Sequence, residues 1–301
     1  MSKLITAIRP KTLTATFSPI LATLGMCYFY LKKVDLWIFV AALASTSCIQ
    51  IATNLFNDAI DFQKGADAHS RIGPKRVTQS GEMTVRQVYA VAIGFCIVSL
   101  LCGIPLVIEG GAPIVVIGLI SIFMAYSYTG GPFPLAYLGL GDLFVMIFFG
   151  WIAVMGLSFI QTQEWQWTGF ILGTQVGAMG TVLIAINNLR DAEEDKKVGK
   201  MTLAARFGES FTKREIAILY ATAFGLSSFW FFEKAYAAVV LSSMTLIPVI
   251  GFLRDLQREK PGPKYNLFLG RAAKYQILFS LLLMIGFLID GLLLEGTHAL
   301  R

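Results

Sequence analysis

The chain has 301 residues, of which 55% are hydrophobic and 15% charged, with a net charge of +6. A soluble domain is typically about a quarter charged, so this composition excludes an ordinary water-soluble globule and points to a bilayer. Its four cysteines (Cys27, Cys48, Cys96 and Cys102) lie inside apolar stretches without CxxC spacing, and His69 and His298 are far apart, which excludes a disulfide framework and a His- or Cys-based metal cluster.

In chain order, the opening MSKLITAIRPKTL reads as a short amphipathic stretch with no small-residue cleavage site. Nine apolar windows follow, each near the ~20 residues that cross a bilayer. They lie at 13–31, 35–57, 85–108, 112–129, 139–160, 169–190, 214–232, 236–253 and 275–294. No Pro/Gly/Ser linker or low-complexity tract separates them. The expectation is one all-α transmembrane domain over 1–301, a bundle of about nine helices around a central cavity.

Basic residues set its orientation. With nine spans, 21 of the 25 Lys and Arg fall on the side of the N-terminus and of the connections after spans two, six and eight. Lys32, Lys33, Lys234 and Arg301 fall on the other side. Positive charge stays cytoplasmic. This predicts a multi-pass protein of the cytoplasmic membrane with the N-terminus inside and the C-terminus outside. The asymmetry also accounts for the net charge without a nucleic-acid partner, while no pattern speaks to oligomeric state.

Two polar motifs interrupt the apolar text. In QIATNLFNDAIDFQKGADAHSRIGPKR (Gln50–Arg76), Gln50, Asn54, Asn57 or Asp58, and Asp61 recur at steps of three or four. In INNLRDAEEDKKVGKMTLAARFG, Asn187, Asp191 and Asp195 stand at i, i+4, i+8. Either spacing gives one face of a helix. Glu193 and Glu194 fall on other faces, so Asp191 and Asp195 alone are expected to point inward. A shift of 130 residues lays Asn57 on Asn187, Asp61 on Asp191 and Arg76 on Arg206. That echo suggests two related four-helix halves with a ninth span added.

A charge at the centre of a membrane helix costs roughly 2.5–3.5 kcal/mol on insertion scales, so these faces should line a polar cavity open to the cytoplasm. Solvated helix ends would be the plainer explanation. The same Asn-then-Asp order on two helices at one side of the membrane argues against it. Carboxylates facing one cavity repel each other, and a divalent cation relieves that repulsion. Mg²⁺ characteristically takes one or two carboxylates together with substrate phosphates. The motifs therefore suggest a magnesium-bridged diphosphate, with Arg71, Lys75, Arg76, Lys196, Lys197, Lys200 and Arg206 as further countercharge. An ion-coupled transporter is the rival class. Such folds place their sites near the midplane on discontinuous helices, whereas here the charges gather at one face beside basic loops.

Four blocks in consistent order, RPKTL, NLFNDAIDFQKGAD…RIGPKRVTQSG, YTGGPFPLAYLGLGDLFVMIFFGWIAVMG and NNLRDAEEDKKVGKMTLAARFG, resemble the UbiA-type intramembrane prenyltransferases. They are most similar to the branch that prenylates 1,4-dihydroxy-2-naphthoate in menaquinone synthesis. The wider family's N-x3-D-x3-D would put a final carboxylate at Gly65; here it is Asp67, and Ser70 stands before Arg71.

The resemblance implies nine helices, with the motifs at the cytoplasmic ends of helices two and six. It implies two Mg²⁺ ions, one held by Asn57, Asp58, Asp61 and Asp67, the other by Asp191 and Asp195. Polyprenyl diphosphate would be the donor, clamped by Arg71, Lys75, Arg76, Lys200 and Arg206, with Asn54 and Asn187 in the substrate site. Asp61, Asp191, Arg71 and Tyr128 would carry the catalytic roles. Tyr126, Tyr128, Phe148, Phe149 and Trp151 would line the path of an allylic cation. TGGPFPLAYLGLGD would act as a lid, and Tyr137 and Asp142 would touch the aromatic acceptor. Prenyl transfer with loss of CO2 and diphosphate would give demethylmenaquinol; a hydroxybenzoate or another hydroxynaphthoate is the alternative acceptor.

Overall fold

The computed structural model describes residues 8–65, 73 and 76–299, and every regular element among them is helical. In chain order these are α1 (Pro10–Leu31), α2 (Leu36–Gln63), α3 (Val85–Ser127), α4 (Gly141–Thr162), α5 (Trp167–Lys197), α6 (Leu203–Phe232), α7 (Tyr236–Arg258) and α8 (Tyr265–Ala299). All eight contain a segment long and apolar enough to cross a membrane.

The helix α3 accounts for the difference from nine. Its 43 residues would extend about 65 Å at 1.5 Å per residue, twice the ~30 Å hydrocarbon layer. Gly111, at φ 62° and ψ −151°, breaks it in a conformation that L side chains avoid. The two arms then fold back as a hairpin. Tyr89 at the start of the first arm and Tyr126 at the end of the second both meet Phe56, with ring centroids at 5.9 Å and 5.6 Å. Counting the arms separately gives nine apolar helical segments among the described residues, the number expected.

Several helices outrun their apolar windows, and by most at one end of the bundle. α2 continues to Gln63 and α5 to Lys197, so both aspartate motifs are helical. α6 starts at Leu203, where the Thr202 hydroxyl accepts the Ala205 amide at 3.2 Å, and α8 starts at Tyr265. Hydropathy falls where these helices turn polar faces toward one another, but their backbone ladder goes on. The opposite end is tied by Tyr30 donating to Glu233 (2.9 Å), Lys32 donating to the Gly291 carbonyl (2.9 Å) and the Asp35 amide donating to Gln161 (3.0 Å).

The central helix is α5, buried over most of its length. It crosses α4 through glycines: a Cβ on Gly150 would lie 2.5 Å from the Gly173 carbonyl oxygen and 2.9 Å from the Gly177 Cα. Small residues let membrane helices approach this closely. At the crossing, Met146–Ile152 of α4 widens into a π-helical turn, a deviation frequent at functional sites. The start of α4 is thereby set beside the ends of α2 and α5.

Candidate active site

The motif end of the bundle holds a cavity with about 1390 Å³ of empty space, part of it open to solvent. Asn54, Asn57 and Asp61 of α2 line one wall, and Asn187, Asp191 and Asp195 of α5 line another. Arg76, Tyr128, Asp142 and Lys200 complete the polar surface.

On the α2 wall, Asp61 is buried and held from two sides. Arg76 contacts its Oδ2 at 2.8 Å, and the Tyr137 hydroxyl donates to its Oδ1 at 2.9 Å. Arg76 also donates to the Asn57 carbonyl at 2.7 Å. Burial, and then the charge of Asp61, hold the Tyr137 phenol well above its usual range, so it stays a donor. The Asn57 side chain accepts from the Thr129 hydroxyl. Asn54 is less free than its spacing suggests, because its amide donates to the Ile8 carbonyl (3.0 Å) and the Thr12 hydroxyl (2.9 Å), tying α1 to α2.

On the α5 wall, Arg190 grips Asp191 with two parallel bonds of 2.7 and 2.6 Å. It also reaches Asn187 and, on α8, Asn266, each at 2.8 Å. Only 3% exposed, Arg190 orients Asp191, a role not assigned to it from the sequence alone. Its position next to Asp191 and three after Asn187 was the available signal. Arg9, which precedes α1, and Thr12 of α1 line the cavity, and neither is assigned to it from the sequence alone. Asp195 is buried, with Lys200 3.5 Å from its Oδ1 and no hydrogen-bond partner at its Oδ2.

Several expectations are corrected. Asp58 turns away from the cavity: its carboxylate accepts the amides of Val77 (3.0 Å) and Thr78 (3.3 Å) and the Thr78 hydroxyl, so it shapes the connection after α2. Arg206 is exposed and bonds to the carbonyls of Met201 and Leu138, both at 2.9 Å, bracing two loops instead of pointing at a ligand. The 130-residue echo thus survives for Asn57/Asn187 and Asp61/Asp191 but fails for the arginines, since Asp191 pairs with Arg190. Tyr126 is exposed and packs on Phe56, outside the cavity. Trp151 stacks on Phe170 (5.2 Å) and donates to Thr174 (2.9 Å). Glu193 points outward as expected, whereas Glu194 lines the cavity alongside Asp191 and Asp195. Asp67, Arg71 and Lys75 lie outside the described residues.

The loop between α3 and α4 lies over the site. The Lys64 ammonium sits 4.1 Å from the Tyr137 ring and donates to the Thr129 carbonyl at 2.8 Å, while the Met201 amide donates to the Tyr137 carbonyl at 3.1 Å. Beneath it, Tyr128, Phe144 and Phe148 form an aromatic row with successive centroids 4.9 and 4.4 Å apart. The row leads to a second, mostly apolar recess of about 540 Å³ between α1, α2, the second arm of α3 and α4. Both spaces share Gln50, Thr53, Phe144 and Phe149.

The donor set fits a hard divalent cation. Among the described residues no three carboxylate, His or Cys groups converge on one point. Mg²⁺ does not require that, because it is typically bound by one or two carboxylates plus phosphate oxygens. The unpartnered Asp195 Oδ2 is the kind of buried acceptor such an ion would satisfy.

Comparison with known proteins agrees with this arrangement. The model of the UbiA prenyltransferase family matches residues 18–292. The chain is 33% identical over 293 residues to the 1,4-dihydroxy-2-naphthoate octaprenyltransferase of Bacillus subtilis (strain 168), covering 94% of this chain and 91% of that protein. It is 31% identical to the enzyme of the same name from Escherichia coli (strain K12), covering 93% of each. Among solved structures, a UbiA homolog from Archaeoglobus fulgidus bound to GPP and Mg2+ superposes with a TM-score of 0.70 at 17% identity, over 96% of this chain and all of that one.

Proposed function

The chain belongs to the UbiA prenyltransferase family, and on that premise we propose that it transfers a polyprenyl group from polyprenyl diphosphate to 1,4-dihydroxy-2-naphthoate, releasing CO2 and diphosphate. The observation that carries this reading is a cavity walled by two aspartate-bearing helix ends that shares four lining residues with an apolar recess between helices. The diphosphate belongs in the polar part and the prenyl tail in the recess.

Asp61 and Asn57 would hold one Mg²⁺, with Asp67 as the third member, and Asp191 and Asp195 a second. Bound there, Mg²⁺ supplies positive charge that stabilises the departing diphosphate. Arg76 and Lys200 add fixed cations on the cavity wall, a preorganised field for charge that develops in the transition state, while Arg190 holds the Asp191 carboxylate in place. Tyr128, Phe144 and Phe149 turn aromatic surface to the path of the allylic cation, which such faces attract. Tyr137, pinned to Asp61, keeps the α3–α4 loop over the cavity and excludes water. The acceptor then lies between this loop and the start of α4, against Tyr137 and Asp142. The predominance of basic residues at the motif end supports a site that opens to the cytoplasm.

The test is incubation of purified protein, in lipid vesicles, with radiolabelled prenyl diphosphate and either the naphthoate or 4-hydroxybenzoate. Labelled product with the naphthoate is expected, abolished by EDTA and restored by Mg²⁺. Product with the benzoate alone would reassign the acceptor, and full activity in excess EDTA would remove the metal from the mechanism.

A further inference from the structure

We propose that Asp142 is the proton-transfer residue of the reaction, removing the proton of the acceptor hydroxyl as the ring is alkylated and returning it after CO2 has left. The inference rests on the prenyl-transfer reading above. Three observations lead to it. Asp142 lines the cavity, yet it stands on the first turn of α4 and not on either of the two helices that carry the diphosphate motifs. It is only 5% exposed, and its Oδ1 has no hydrogen-bond partner. A buried carboxylate kept for structure is normally paired, as Asp58 is with its loop. The other unpartnered carboxylate oxygen on the cavity wall, Asp195 Oδ2, already has a place in the metal reading. Asp142 also adjoins the aromatic row. A Cβ on its neighbour Gly141 would lie 2.9 Å from the Tyr128 hydroxyl, so this turn packs directly beside the ring assigned to the cation path.

The step balances. The ring carbon that bears the carboxylate, adjacent to a hydroxyl, forms a bond to C1 of the prenyl chain as the C1–O bond breaks, and that electron pair leaves with diphosphate. The hydroxyl proton passes to Asp142, leaving a neutral ketone beside the carboxylate. Loss of CO2 returns its electron pair to the ring as an oxyanion, and Asp142 gives the proton back. No net proton is consumed, and no further reactant is needed. Tyr128 from the preceding loop and Glu215 from α6 lie in the electrostatic field of Asp142, while Asp61, Asp195 and Lys200 stand elsewhere on the cavity wall.

Asp142→Asn preserves shape and removes the base. With saturating donor at neutral pH, its turnover of the naphthoate should fall by about 10²–10⁴, the usual worth of a positioned acid–base group. Its rate should then climb about tenfold per pH unit as the acceptor hydroxyl ionises in solution, while wild type does not. Asp142→Glu should keep the neutral-pH reaction within about tenfold of wild type, because the carboxyl group is retained. Binding of prenyl diphosphate with Mg²⁺, measured separately, should be unchanged within about twofold in both variants, since Asp142 is not assigned to the donor. A wild-type rate in Asp142→Asn, an equal loss at every pH, or a loss of donor binding would each overturn the proposal. Wild type that makes no prenylated naphthoate would instead overturn the reading beneath it.

Discussion

Asp58 and Asp61 lie within one turn of α2, and the structure gives them different work. Asp61 faces the cavity between Arg76 and Tyr137, and Asp191 faces it in the grip of Arg190. Removing either carboxylate, as Asp61→Asn or Asp191→Asn, should cost at least about a hundredfold in turnover, the scale of one preorganised group at a developing charge. Glu193→Gln should match wild type, because its side chain is 84% exposed. Steady-state rates on purified variants decide between these outcomes, and equal losses in all three would disprove the assignment of faces. Asp58→Ala should act on stability instead. The amides of Val77 and Thr78 lose their acceptor, at about 1–3 kcal/mol for each buried group left unpaired. Its thermal midpoint should drop while the Mg²⁺ concentration for half-maximal activity stays unchanged. Helical spacing made Asp61, Asp191 and Asp195 legible in the sequence. It could not choose between Asn57 and Asp58, because that choice is made by a loop some 20 residues later. Arg190 was not legible as part of the site because it closes an apolar window, where charge usually means solvent.

The connections show how much of the site depends on elements with no hydropathy signal. Nine crossings could be counted from apolar length alone, including the two arms of α3. The extensions of α2 and α5 into polar text could not, and are marked instead by the three- and four-residue spacing of their polar residues. The loop between α3 and α4 depends on Gly139 twice over. Its φ is +77°, and a Cβ there would lie 2.6 Å from the Met201 carbonyl oxygen. Gly139→Ala therefore adds roughly 1–2 kcal/mol of left-handed strain to a backbone clash. It should loosen the loop, so that a larger fraction of prenyl diphosphate is hydrolysed instead of transferred. The ratio of prenyl alcohol to prenylated product measures this, and an unchanged ratio would mean that the loop does not keep water out.

For the whole molecule, the polar cavity and the basic connections occupy one end of the bundle, while apolar side chains cover the hairpin arms of α3. The excess of basic residues at that end predicts that it faces the cytoplasm. Ser80 is exposed there. A cysteine at Ser80, in a chain lacking the four native thiols, should resist an impermeant maleimide added to intact cells and react once they are opened. Labelling of intact cells would invert the protein. One brace at this end sets a further condition. Arg206 bonds the carbonyls of both Leu138 and Met201, and the Met201 amide bonds the Tyr137 carbonyl. The loop over the cavity and the turn after the second motif are therefore one latch with two leaves. Neither can lift without breaking bonds to the other, so the amides of Ala136 and Met201, both bonded within it, should exchange with solvent deuterium in a single shared event. Donor and acceptor would then meet a gate that opens for both or for neither.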